Sequence, residues 1–174
     1  MKTLLVVAYI LTTATAELGL LGALSKDPNA LRSTINAALS LIPNGRSVDA
    51  DALVSALSPV AADTNAHHVK YDGVDVGMDM EQFGLRAVEC LSEGKGAEGD
   101  FVSLIDCVYS GFPEENKVYA EEEAAIVKRW LATLDKHLEP VGGFMKCMTD
   151  LNEMGFAEKL SSDEPQGEKA TDEL

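Results

Sequence analysis

Apolar positions recur at spacings of three and four along most of this chain, the period of helices that bury one face. Leu31, Ile35, Ala38, Leu39 and Ile42 form the first stripe, with Asp27 as N-cap and Pro28 at the first helical position. Pro43-Asn44-Gly45 ends that helix. A second helix follows Ser47 and carries Leu53, Ala56, Leu57 and Val60. Pro59 is expected to end or kink it near Ser58, because proline removes a backbone donor and crowds the preceding turn. Asp79 and Gln82 read as a capping box ahead of Phe83, Ala87, Cys90 and Leu91, and Gly94-Lys95-Gly96 closes this third helix. Phe101, Leu104, Ile105 and Val108 predict a fourth, short helix that stops before Gly111-Phe112-Pro113.

The fifth helix, from Glu115 to Leu138, has the broadest stripe: Ile126, Trp130, Leu134 and Leu138, with Val127 and Leu131 beside them. Lys136 and His137 fall in its last turn, where cations complement the helix dipole, and capping accounts for this histidine. A sixth helix spans Val141 to Leu160 with Phe144, Cys147, Met148, Leu151 and Met154 on one side. The implied architecture is all-α, a compact bundle of about six helices joined by short loops. Between the second and third helices, Val74, Val76, Met78 and Met80 alternate with Asp75, Gly77, Asp79 and Glu81. A lone strand has no partner here, so this stretch is expected to be an extended loop tucked against the bundle.

The ends divide the chain further. Residues 1–16 read as a signal peptide: Lys2, the apolar run Leu4–Leu11, and Ala14-Thr15-Ala16 as a small-x-small cleavage site. Residues 17–160 form the single helical domain, and 161–174, SSDEPQGEKATDEL, are expected to be a disordered acidic tail. The run in the leader stops well short of the roughly 20 apolar residues a membrane-spanning helix needs. No other stretch is long and apolar enough, so no integral membrane segment is expected. The terminal Thr171-Asp172-Glu173-Leu174 resembles the K-D-E-L retrieval signal, with threonine in place of the basic first residue. Secretion to the exterior is therefore the expected destination, and retention in the endoplasmic reticulum lumen the alternative.

A net charge of −15 repels phosphate backbones and anionic lipid heads, which argues against nucleic acid as a partner. Three cysteines, Cys90, Cys107 and Cys147, would meet an oxidising environment. An odd count allows any of three single bridges with one thiol left over, and hence a disulfide-linked dimer through the unpaired residue. Cys90 to Cys107 closes the shortest loop. On apolar faces, each cysteine also serves as a small buried hydrophobe.

Potential metal ligands concentrate between Asp63 and Glu81: Asp63, His67, His68, Asp72, Asp75, Asp79 and Glu81. An EF-hand calcium loop needs oxygen ligands at positions 1, 3, 5 and 12 and glycine at 6. With Gly77 at 6, Val74, Val76 and Phe83 hold ligand positions; with Gly73 there, His68 and Lys70 do. A start at Asp63 puts His68 at 6 and Val74 at 12, so no register fits and calcium binding remains a degenerate alternative. For zinc, the His67-His68 pair directs its rings apart on most backbones.

Catalysis finds no motif: no G-x-S-x-G, no H-E-x-x-H, no phosphate-binding glycine loop. Glu121-Glu122-Glu123 occupy successive helix positions, so they fan out, and a solvated face is expected. Trp130, Phe144, Met148 and Met154 are the candidate lining of an apolar ligand site, since methionine adapts to irregular apolar shapes. The expectation is a non-enzymatic acidic binding protein for a small apolar ligand or a protein partner. A calcium binder and a disulfide-linked structural protein are the alternatives.

Overall fold

A computed structural model describes residues 27–153 of the chain. Residues 1–26 and 154–174 lie outside the described residues, and with them the expected signal peptide, Met154 and the expected acidic tail. Within them the chain forms six α-helices and no strand: α1 (Pro28–Leu41), α2 (Ala50–Lys70), α3 (Met80–Ser92), α4 (Phe101–Tyr109), α5 (Lys117–His137) and α6 (Gly143–Glu153). Short 3₁₀ turns precede α2, α4, α5 and α6.

The helix starts follow from side-chain caps. Asn29 N–H donates to Asp27 Oδ1 at 2.9 Å, and Ala52 N–H to Asp49 Oδ1 at 2.9 Å. The capping box of α3 is complete: Gln82 N–H donates to Asp79 Oδ1 at 2.8 Å, and Asp79 N–H to Gln82 Oε1 at 3.1 Å. Each such cap satisfies a donor that the helix cannot, and is worth about 1 kcal/mol. At the far end of α3, Gly94 takes a left-handed backbone (φ 83°), and Lys95 N–H reaches back to the Cys90 carbonyl at 3.0 Å. A β-carbon would oppose that conformation, which is why glycine closes the helix there.

The stripes read from sequence are the core. Leu31, Ile35 and Leu39 of α1, Leu53 and Leu57 of α2, and Phe83, Ala87 and Cys90 of α3 are all buried. Leu104, Ile105 and Val108 of α4 are among the deepest side chains, and Ile126, Val127 and Trp130 carry the stripe of α5. Full burial of an aliphatic side chain contributes roughly 1.5–3 kcal/mol. Helix α5 is central, packing on α2, α4 and α6, while α1 lies on α2 and α3 on α4. The pairs Asp63–Arg129 and Lys70–Glu122 show that α2 and α5 run antiparallel.

Three expectations are corrected. Pro59 does not end α2, which continues for eleven residues to Lys70. Pro59 and Ser55 are exposed, so water can bond the carbonyl that proline leaves without a donor. The burial of Leu57, Val60, Ala61 and Thr64 holds the helix together across it. Ala38 is exposed, and Ile42 sits just past α1 in extended backbone, although it still packs against the core. The loop between α2 and α3 is shorter than expected; Met78 packs on the core, whereas Val74 faces solvent.

Cys90 and Cys107 are bridged within the chain, tying α3 to α4 with their Cα atoms 6.0 Å apart. Cys147 is the remaining thiol and is only 1% exposed. A dimer linked through it would require α6 to open, so the expected intermolecular bridge has no surface thiol to form from among the described residues.

Candidate functional site

The residues from Asp63 to Glu81 do not form one loop. Residues 63–70 are the last two turns of α2, so Asp63 points toward α5 and pairs with Arg129 Nη2 at 2.7 Å. His67 is partly buried between Tyr71 (ring centroids 4.8 Å apart) and Tyr119 (5.0 Å), while His68 is exposed. Asp72 is exposed, Asp75 Oδ1 accepts Gly77 N–H at 2.9 Å, Asp79 caps α3, and Glu81 lies exposed in its first turn. Among the described residues no three His, Cys, Asp or Glu side chains come together as a metal-binding group.

The ligand-lining candidates likewise have other places. Trp130 is buried against α2, and Phe144 is buried edge-to-face on Phe101 at 5.7 Å. Met148 lies on α6, and its side chain and all of Met154 are outside the described set.

What the structure does gather is a polar and aromatic junction where α2, α4 and α5 meet. Lys70 Nζ donates to both Glu122 oxygens at 2.7 and 2.8 Å, and the Tyr71 hydroxyl donates to Glu122 Oε2 at 3.1 Å. The Lys70 bond is the main reason the Glu122 carboxyl sits below its usual pKa. Burial lowers the His67 pKa against the opposing pull of the Tyr119 backbone carbonyl and Glu122.

Next to Glu122 on α5 lies a residue whose burial was not anticipated. Glu123 is only 7% exposed, which corrects the expectation that all three glutamates face solvent. At 100° per residue, Glu123 falls on the same stripe as Ala120, Val127 and Trp130, and the spacing of four to Val127 was the available signal. Burial raises its pKa, and a hydrogen bond from Tyr119 partly offsets that rise. Burial, reinforced by Glu123, also pushes the Tyr109 and Tyr119 hydroxyls upward. Tyr109 Oη and His67 Nε2 are buried without a hydrogen-bond partner.

On the outer surface of α4 and α5 lie two shallow hollows, the first of which shares Tyr109 with this junction. One, of about 460 Å³, is floored by Tyr109, Phe112, Ala120 and Ala124. The other, of about 380 Å³, is floored by Phe101, Ile105, Leu131 and Met145. Lys128 lines both and reaches across to pair with Asp106. Along α5 the lining residues step by three and four from Lys117 through Ala120, Ala124, Lys128 and Leu131 to Asp135, which is one helix face. The two hollows are thus aligned on one helix face as a furrow that the Lys128–Asp106 pair divides at its waist. A third, more open depression of about 720 Å³ lies under the α1–α2 link, but Asn36, Ser40, Asn44 and Arg46 make its wall polar.

The furrow's rim is acidic. Lys117 pairs with Glu114 at 3.5 Å and Lys128 with Asp106. Glu121 is exposed and forms no ion pair among the described residues, and Asp100 and Asp135 accept the N–H groups of Ser103 and Phe144. Glu123 lines neither hollow.

Comparison with protein-family models, with curated proteins and with solved structures gave no match.

Proposed function

We propose that this chain is a non-enzymatic binding protein of the secretory pathway that engages a protein partner through the α4–α5 furrow. The observation that carries the reading is the apolar floor running along two packed helices beneath an acidic rim. An enclosed site for a small apolar ligand is less well supported, because Trp130 and Phe144 are packed in the core and line neither hollow. An open furrow fits side chains carried by a second protein, and specific interfaces place a few apolar anchors inside a polar rim. The leader at residues 1–16 supports the pathway, and the terminal TDEL keeps luminal residence as an alternative to secretion.

Capture from the source secretion with the full chain, side by side with its Ala125→Arg variant, tests this reading. Ala125 is an exposed furrow residue, so the substitution blocks the site without entering the core. A partner retained by the native chain and lost by the variant is the expected result. Equal retention by both would place the interface elsewhere.

A further inference from the structure

We propose that the furrow takes an amphipathic helix of the partner, apolar along one face and flanked by lysine or arginine. This rests on the reading of the furrow as the partner site and names what fills it. From Lys117 to Asp135 the furrow follows α5 for about 27 Å, the length of about 18 helical residues. Its walls are helices, whose backbone N–H and C=O groups are already bonded within each helix, so no sheet edge is offered to an extended peptide. A helical occupant brings its own backbone bonds and needs only side-chain contacts.

The floor suits such a helix. Alanines at 120, 124 and 125 in one half and 132 in the other keep the floor low on either side of the waist, so another helix can approach closely. Aromatic side chains sit at both ends, Tyr109 and Phe112 in one half and Phe101 in the other, where anchors spaced by one or two helical turns would reach them. Met145 adds an adaptable surface at the second end. Charge selects the flanks: among the described residues Glu121, Asp100 and Asp135 on the rim form no ion pair, and the chain carries a net charge of −15. At the waist, the Lys128–Asp106 pair favours a small residue midway along the occupant's apolar face.

The probe is a synthetic leucine/lysine amphipathic helix of about 18 residues, measured against the full chain by fluorescence anisotropy. Controls are a leucine/glutamate helix and a leucine/lysine peptide of the same composition in strict alternation, which cannot form one apolar helical face. Saturable binding by the lysine helix is expected, with each control at least about tenfold weaker. Ala125→Arg and Ala132→Arg, both at exposed positions, should each weaken it at least about tenfold, and Leu85→Lys on the outer face of α3 should leave it unchanged. Melting curves establish that the variants fold.

Absence of binding, equal binding of the alternating peptide, or equal loss in Leu85→Lys would overturn the helix assignment. Self-association of the native chain that Ala125→Arg abolishes would make a second copy the occupant and would also overturn it. Failure here together with partner capture that still depends on Ala125 would leave the furrow as the site and remove only the helix.

Discussion

The indole N–H of Trp130 on α5 donates to the Thr64 hydroxyl on α2 at 2.9 Å, and both side chains are buried. The same hydroxyl donates to the Val60 carbonyl at 2.8 Å, so one oxygen serves both helices where they cross. Thr64→Val keeps the shape and leaves the indole N–H buried and unpaired. A loss of about 1–3 kcal/mol is expected in urea unfolding.

Glu123 and His67 should have opposite pH signatures. A carboxyl whose folded pKa is raised contributes its stability fully below the unfolded value and loses it as pH rises through the folded one. Native protein should therefore lose stability relative to Glu123→Gln as pH rises from 4.5 toward neutrality. His67, a base with a lowered folded pKa, contributes stability above 6.5 that is lost as pH falls through the folded value. His67→Phe keeps a ring between Tyr71 and Tyr119 and should lessen the loss on the acid side. Melting temperatures across pH check both signs.

The Cys90–Cys107 bridge spans a sequence separation of 17. Replacing both cysteines by alanine should cost about 3 kcal/mol through the freed unfolded chain. Cys147, buried in the native state, should react with an alkylating reagent only as fast as the protein opens. Non-reducing gels should accordingly show a monomer.

At Pro59 the expected change is a gain. Pro59→Ala restores the helical donor on an exposed face of α2 and should raise stability by up to about 3 kcal/mol. The greater freedom of the unfolded chain offsets about 0.4–1 kcal/mol of that. The urea midpoint measures the net effect.

Local rules made most of the fold legible. Asp27, Asp79 and Gln82 act within one turn of the chain, and the stripes of α1, α3, α4 and α5 follow the helical period, so both could be read from spacing. The course of α2 past Pro59 could not, because it depends on what buries Val60, Ala61 and Thr64 from the other helices. With that turn misplaced, Asp63 and His67 read as loop ligands when they face α5. The shortest of three cysteine pairings proved to be the one formed, although spacing left the choice open. The furrow was beyond reach because it depends on how α4 and α5 lie side by side, which the spacing of residues along either helix alone does not give.

The most direct test of a partner site in the furrow is position-specific photo-crosslinking of the full chain in an extract of its source tissue. A photoreactive residue at Ala125, in the furrow, should trap one protein, and its crosslinked peptide should be a helical segment with apolar and basic residues. The same probe at Leu85, 65% exposed on the outer face of α3, should trap none. Crosslinking that is equal at the two positions, or confined to Leu85, would contradict the assignment.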